Sequence, residues 1–154
     1  MKAVLLVLAA ILVSGCTSGP DAADKAPSGP GLIAGTSSGS HYLRFDKAHY
    51  EQSLSENKVV HLYFYANWCP ICAAERPKIF EAYGKLNYED VVGYEVHYND
   101  NEVTDDDVYV TKLFQIPYQH TTVILDRSGK IAFKSFSPIG TGKLVEEIEN
   151  ARVP

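Results

Sequence analysis

Continuous and alternating runs of apolar residues predict the strands of this chain. The clearest run, residues 59–66 (VVHLYFYA), is rich in β-branched and aromatic residues and apolar on both faces, as a central strand covered by helices would be. Residues 91–97 are predicted to form the next strand. Residues 121–125 and 131–136 flank a turn at 126–129, which predicts an antiparallel hairpin. The pattern therefore predicts a sheet with a buried centre.

Capping residues and apolar faces predict the helices between these strands. Helices are predicted at residues 46–55, 69–86, 104–114 and 141–150, and a further short strand at residues 41–45. Pro77 falls inside the second helix and should bend it by removing one backbone donor. Strands and helices alternate along the chain until the hairpin and the last helix. This order predicts an α/β fold with a mixed central sheet and helices on both faces.

The N-terminal part of the chain predicts export and a lipid anchor. Residues 3–13 form an unbroken apolar run behind Lys2, which is too short to span a bilayer comfortably but suits the core of a signal peptide. The run ends at Ser14-Gly15-Cys16, which resembles the lipobox of bacterial-type lipoproteins, where the cysteine is acylated after cleavage. A plain secretory cleavage site is the alternative.

A three-part organisation follows from this N-terminus. We expect a lipoprotein signal peptide over residues 1–15, a lipid-anchored flexible linker of small and polar residues over 16–40, and one folded domain over 41–154. The protein would then be extracytoplasmic and anchored to the cell membrane as a lipoprotein. Its net charge of −5 and its scattered basic residues provide no electrostatic footprint for nucleic acid, so we expect no nucleic-acid partner.

Of the three cysteines, Cys16 is the predicted anchor, and Cys69 and Cys72 remain as a pair. The pair lies where the central strand is predicted to end and the second helix to begin. There the unpaired N–H groups and the positive end of the helix dipole favour a thiolate, which is the nucleophilic form of cysteine. Because the pair lies within one helical turn, Cys72 can attack a mixed disulfide held on Cys69 and release the product.

Two other uses of the cysteine pair are less compatible with the sequence. A zinc site built from cysteine pairs needs a second pair, which the chain lacks. A structural disulfide is common in secreted domains, but it rarely occupies a strand-to-helix junction directly after a tryptophan, here Trp68. We therefore favour a redox-active dithiol.

Residues 61–77 resemble the thioredoxin superfamily. The shared features are an apolar strand, the motif Trp68-Cys69-Pro70-Ile71-Cys72, and a proline five residues after the second cysteine. The resemblance extends over residues 41–152 and implies a thioredoxin-like fold. Dipeptides that begin with proline occur both in glutaredoxins and in periplasmic disulfide oxidases, so the motif is compatible with reduction and with oxidation of clients.

The resemblance also implies an activity and a set of site residues. The activity is that of a thiol–disulfide oxidoreductase in which Cys69 attacks and Cys72 resolves, with Trp68, Pro70 and Ile71 as active-site neighbours. Cys69 is expected to be the exposed thiol and Cys72 the protected one. The implied partners are cysteine-containing client proteins and a redox partner, and no cofactor is expected.

Two positions depart from the thioredoxin pattern. Thioredoxins have a buried aspartate six residues before the first cysteine, where this chain has Tyr63, which we interpret as a core residue rather than a proton-transfer group.

Thioredoxins also place a cis-proline opposite the dithiol. Aligning residues 121–126 with the strand after that proline puts His120 at its position and Pro117 in a loop, with the Gln119–His120 bond trans. An insertion of three residues that keeps Pro117 as the cis-proline is the alternative.

A histidine beside the dithiol allows a different function. His120 could donate a hydrogen bond to a thiolate, carry a proton, or complete a metal site. Sco-type copper metallochaperones resemble this arrangement, although their cysteines are spaced by three residues rather than two. The alternative function is therefore a copper-binding or copper-delivery protein that uses Cys69, Cys72 and His120. A binding module that has lost turnover is a third possibility, which the intact cysteine pair disfavours.

Overall fold

The structure is a computed structural model that describes residues 30–36 and 39–153. The predicted signal peptide, the predicted acylation of Cys16 and most of the predicted linker lie outside these residues. The elements in chain order are β1 (Leu32–Gly35), β2 (His41–Arg44), α1 (Lys47–Ser55), β3 (Val59–Tyr65), α2 (Pro70–Lys85), β4 (Val91–His97), α3 (Asp105–Leu113), β5 (Thr121–Leu125), β6 (Ile131–Ser135) and α4 (Gly140–Arg152).

The sheet is mixed, as predicted. Its strand order is β1-β2-β4-β3-β5-β6, so β3 and β4 lie at its centre. β4 is parallel to both β2 and β3, whereas β5 is antiparallel to β3 and to β6. Helices α1 and α3 contribute to the core on one face of the sheet, and α2 and α4 contribute to the core on the other. The predicted α/β fold with helices on both faces is therefore confirmed.

The folded part of the chain begins earlier than expected. Residues 32–35 fall within the predicted linker, yet they form β1, which pairs antiparallel with β2. Ile33 and Ala34 pack against the core beneath α2 and α4. The expectation of a domain that begins at residue 41 is wrong, because three consecutive apolar residues within a stretch of glycine, serine and proline are too few to show a period.

Local capping explains why the helices begin where they do. The carboxylate of Asp46 accepts the backbone N–H of His49 at 2.8 Å, so Asp46 caps α1 as predicted. Thr104 and Asp107 form a reciprocal capping box at the start of α3. Helix α2 continues through Pro77. No helix among the described residues is long and apolar enough to cross a membrane.

A close approach of aromatic rings fixes the centre of the sheet. His61 in β3 lies opposite Gly93 in β4. A side chain at residue 93 would collide with the hydroxyl of Tyr83 and with the ring of Tyr42, so the position requires glycine. Tyr83 and Tyr42 occupy the space left free, and the ring of His61 stacks against both, with centroids 6.0 and 6.1 Å away.

Two buried acidic residues fix α2 to its neighbours. Glu75 in α2 accepts the backbone N–H groups of Ile139 and Gly140, at 3.0 and 2.6 Å, and so supplies the cap that α4 lacks in its own sequence. Glu95 in β4 forms a bidentate ion pair with Arg76 in α2, at 2.7 and 3.1 Å. Helix α2 is therefore held at a defined place on the sheet by charge-assisted bonds as well as by packing.

Candidate active site

The dithiol lies at the point where β3 ends and α2 begins. Cys69 is the N-cap residue of α2, and Pro70 is the first residue of the helix, where no N–H is needed. The sulfur of Cys69 accepts a hydrogen bond from the backbone N–H of Cys72 at 3.1 Å. The predicted placement of the pair at a strand-to-helix junction is confirmed, whereas the roles of its two members stay predictions.

Both thiols are free and buried. Cys72 is 0% exposed, as expected for the protected member, but Cys69 is only 3% exposed, so the expectation of an exposed Cys69 is wrong. The capping geometry is the reason, because it turns the Cys69 sulfur toward the N–H groups of its own helix. The side chains on either side, Trp68 and Ile71, are 54% and 47% exposed. Two exposed apolar side chains therefore flank the buried sulfurs.

The loop before Cys69 is held by residues that follow β4. The indole N–H of Trp68 donates to the carbonyl of Asn99 at 3.0 Å, and the backbone N–H of Asn67 donates to the carboxylate of Asp100 at 3.0 Å. The ring of His97 lies 2.8 Å from the same carboxylate. No pattern in the sequence points to these contacts, because only the fold brings the two loops together.

The antiparallel pairing of β3 and β5 brings His120 to the dithiol. Phe64 near the end of β3 lies opposite Thr121 at the start of β5, so the residue before β5 sits beside the residues that follow β3. Every peptide bond among the described residues is trans, and Pro117 lies in the loop before β5. The sequence alignment that placed His120 directly before this strand is therefore confirmed, and the alternative with Pro117 as a cis-proline is wrong.

His120 has an unusual backbone and an unusual environment. Its φ of 53° lies in the left-handed region, which is uncommon for residues other than glycine, although asparagine, aspartate and histidine adopt it more often than most. Its Nδ1 is buried and has no hydrogen-bond partner among the described residues. One donor atom from each of Cys69, Cys72 and His120 forms a cluster whose members all lie within 4.8 Å of one another. The structure thus brings together the three residues that the sequence analysis grouped.

The loop that carries His120 is anchored on both sides. The hydroxyl of Tyr98 donates to the carbonyl of Pro117 at 2.8 Å, and the hydroxyl of Thr121 donates to the carbonyl of Tyr118 at 2.8 Å. The ring of Tyr118 packs on the His120 ring, with 5.3 Å between their centroids. The imidazole therefore occupies a defined position beside the thiols.

A protein-family model described as Thioredoxin matches residues 41–136, which is most of the chain. This chain belongs to the thioredoxin family. Among the curated proteins, none matches the chain significantly.

Solved thioredoxin-like structures share the fold of this family member at low sequence identity. Trxlp from Edwardsiella tarda EIB202 is 18% identical with a TM-score of 0.54, and the match covers 68% of this chain and 95% of that chain. Thioredoxin O2 from Arabidopsis thaliana is 20% identical with a TM-score of 0.54, covering 76% and 97%. StoA from Bacillus subtilis is 21% identical with a TM-score of 0.51, covering 59% and 82%.

The second cysteine of this thioredoxin-family dithiol, Cys72, is strongly shielded. Burial raises the pKa of the Cys72 thiol to about 11, and its hydrogen bond with Cys69 acts in the same direction. The thiol form therefore predominates at neutral pH, so Cys72 is a weak nucleophile in this state.

Tyr63 stands where thioredoxins have their buried aspartate. It is 0% exposed and belongs to the core beneath α2 and α4, which confirms its interpretation as a core residue. Its hydroxyl makes no hydrogen bond of ordinary geometry within the described residues, yet it lies close enough to Cys72 to lower the pKa of that thiol. Burial in turn raises the pKa of Tyr63, which therefore stays neutral. A neutral hydroxyl therefore stands beside Cys72 where the family has a carboxylate.

Proposed function

We propose that this protein is a thiol–disulfide oxidoreductase that exchanges electrons with cysteines of other proteins through Cys69 and Cys72. The observation that carries the proposal is the position of Cys69 as the N-cap of α2, with its sulfur accepting the backbone N–H of Cys72. A thiolate at this position is stabilised by the helix N-terminus, and its partner thiol lies within the same turn.

The exchange proceeds in two displacements. In the reducing direction, the Cys69 thiolate attacks one sulfur of a client disulfide, which forms a mixed disulfide and releases the other client sulfur as a thiolate. Cys72 loses its proton and attacks the Cys69 sulfur, which breaks the mixed disulfide and releases the second client thiolate. The client gains two electrons, and the protein is left with a Cys69–Cys72 disulfide. A redox partner returns the pair to its starting state, and the oxidising direction reverses the same steps.

The surface around the dithiol supports a protein as the client. Trp68 and Ile71 are exposed beside the pair. The exposed ring of Tyr118, which packs on His120, also packs on the exposed ring of Phe136, with 5.6 Å between their centroids. Exposed aromatic and aliphatic side chains of this kind provide contact area for an extended peptide that presents a cysteine.

The reduction potential of the pair tests the proposed function. Redox-active pairs on this kind of fold span about −270 mV to about −120 mV, whereas structural disulfides in secreted proteins lie below about −300 mV. The chain with Cys16→Ser, equilibrated with glutathione buffers of known ratio, is expected to titrate as one two-electron couple inside the first range. A potential below −300 mV would assign the pair a structural role and contradict the proposal.

We further propose that the protein works outside the cytoplasmic membrane, anchored through an acylated Cys16. The support is the apolar run of residues 3–13 followed by Ser14-Gly15-Cys16. Acyl chains bind membranes through their buried methylene groups, and stable anchoring needs more than one such chain or signal. The anchor would restrict exchange to clients that reach the membrane surface.

Cys16→Ser is expected to remove the anchor and leave the folded domain intact, because acylation requires the thiol. In detergent phase partitioning of cell membranes, the wild-type chain should enter the detergent phase and the variant the aqueous phase. Cys69→Ser is the matched control, since it removes a cysteine of the same chain and should leave partitioning unchanged. Equal partitioning of Cys16→Ser and wild type would rule out the lipid anchor.

A further inference from the structure

We propose that the reduced forms of Cys69 and Cys72, together with His120, bind a single soft metal ion, and that Cu(I) is the ion that suits this site. The site uses the same sulfurs as disulfide exchange, but metal binding does not depend on exchange activity. It goes beyond the proposed function because it assigns the reduced protein a ligand of its own.

The geometry requires only small side-chain adjustments. Metal–sulfur bonds are about 2.3 Å long and metal–imidazole bonds about 2.0–2.1 Å, so two ligands on opposite sides of one ion lie about 4.3–4.6 Å apart. In a trigonal or tetrahedral arrangement they lie about 3.5–4.0 Å apart. The donor atoms of Cys69, Cys72 and His120 already lie within 4.8 Å of one another. Rotation of these side chains can therefore close the group around an ion without rearranging the backbone.

His120 provides the independent reason to infer a ligand. A buried nitrogen without a partner costs about 1–3 kcal/mol, so native structures contain few of them, and an ion is one of the ordinary explanations. Nδ1 of His120 is such a nitrogen, and the residue is held in a left-handed backbone conformation. Strained backbone positions cluster at ligand and active sites. Hydrogen bonds at Pro117 and Tyr118 hold the loop in place, so the imidazole is positioned before any ion arrives.

The donor set selects the kind of ion. Two thiolates and one imidazole are soft to borderline ligands, which disfavours Mg²⁺ and Ca²⁺, since these prefer oxygen. Structural zinc takes four protein ligands, and within the described residues this group supplies three. Cu(I) is selected by thiolate sulfur and carries a single positive charge. With two thiolates it leaves the site with one net negative charge, which the N-terminus of α2 stabilises.

Metal binding and disulfide formation exclude each other. Binding of one Cu(I) forms two copper–sulfur bonds and one copper–nitrogen bond and releases to solvent the protons that the two sulfurs still carry, with no change in the oxidation state of copper or sulfur. A Cys69–Cys72 disulfide has no thiolate to offer, so only the reduced pair can bind. The redox state of the dithiol therefore determines whether the protein can bind the metal ion.

The test is an anaerobic titration of the reduced chain with Cu(I) in competition with a chromogenic Cu(I) chelator. The chain carries Cys16→Ser, so Cys69 and Cys72 are its only thiols. We expect one Cu(I) per chain for the reduced form and none for the disulfide form. Failure to bind Cu(I), or equal binding by the oxidised form, would overturn the proposal. Tighter binding of Zn(II) than of Cu(I) would overturn the choice of ion.

The decisive variant is His120→Asn, because asparagine adopts the left-handed backbone of this position without imidazole. Proline, the family's residue here, has its φ fixed near −65° and would strain the backbone. Loss of the imidazole ligand is expected to weaken Cu(I) binding at least about 10-fold, and His41→Asn, on β2 outside the site, is expected to leave it unchanged. Unchanged affinity in His120→Asn would show that the cysteines bind copper without the proposed site.

A parallel exchange assay separates this proposal from the proposed function. Exchange activity without stoichiometric Cu(I) binding would refute the metal site alone. Tight Cu(I) binding that depends on His120, with no exchange and a structural reduction potential, would refute the oxidoreductase alone.

Discussion

Cys69→Ser is expected to reduce disulfide exchange to the level of buffer, whereas Cys72→Ser is expected to accumulate mixed disulfides with client proteins. The asymmetry follows from the structure of the first turn of α2. The sulfur of Cys69 faces backbone N–H groups, while the raised pKa of about 11 keeps Cys72 as a thiol. The first displacement therefore uses Cys69, and without Cys72 nothing releases the client from it.

The measurement is capture of clients by each variant under alkylating quench, followed by non-reducing electrophoresis and a reducing second dimension. Cys16→Ser is the control, because it removes the one cysteine outside the pair and should exchange as the wild type does. The double variant Cys69→Ser/Cys72→Ser should capture nothing. Capture by Cys69→Ser, or equal capture by both single variants, would reverse or abolish the assignment of roles.

Acid is expected to destabilise the folded protein through His61. The side chain is 0% exposed, and burial lowers its pKa to about 3. An unfolded chain binds a proton at this histidine near pH 6.5, whereas the folded chain excludes it until about pH 3. Between these values protonation favours unfolding, so the free energy of unfolding falls by about 1.4 kcal/mol for each unit of pH lost. The contribution of His61 should be about 2 kcal/mol smaller at pH 5 than at pH 7.

Urea denaturation at several values between pH 4 and pH 8 measures this slope. His61→Phe keeps a flat ring at the position and removes the titrating group, so its slope should be flatter than that of the wild type. Tyr83→Phe is the matched control, because it removes the 3.2 Å contact between the Tyr83 hydroxyl and His61 Nδ1 while leaving the histidine buried. Equal slopes in His61→Phe and wild type would mean that protonation of His61 does not oppose folding.

The central strands could be predicted from the sequence because strands that are buried on both faces are rich in apolar and β-branched residues. Residues 91–97 are predicted as a strand with the bounds that β4 has in the structure, where all of them are buried. β1 was not predicted because a short edge strand is stabilised by its pairing with β2 and by packing. Neither contribution leaves a pattern in the local sequence. Local composition therefore located the core of the sheet but not its edge.

The candidate site was predictable where chain spacing decides proximity. Cys69 and Cys72 share one helical turn, and counting back from β5 placed His120 beside them. The burial of Cys69, the left-handed backbone of His120 and the contact between Tyr63 and Cys72 depend on which groups the fold packs together. The buried bonds of Glu75 and Glu95 were missed for the same reason, because a glutamate within a helix or strand is ordinarily a solvated residue.

The cap that Glu75 provides for α4 decides where this domain can be cut for expression or fusion. The match to the family model ends at residue 136, but a chain shortened there would lack both N–H groups that the carboxylate accepts. It would also lose Leu144, Ile148 and Ala151 from the core, and it would leave Glu75 paired only with the half-exposed Lys78. Deleting buried apolar side chains costs about 2–5 kcal/mol each, a large part of the stability of a small domain. A usable fragment therefore extends through Arg152, and a fusion partner joined after the exposed Val153 leaves the cap intact.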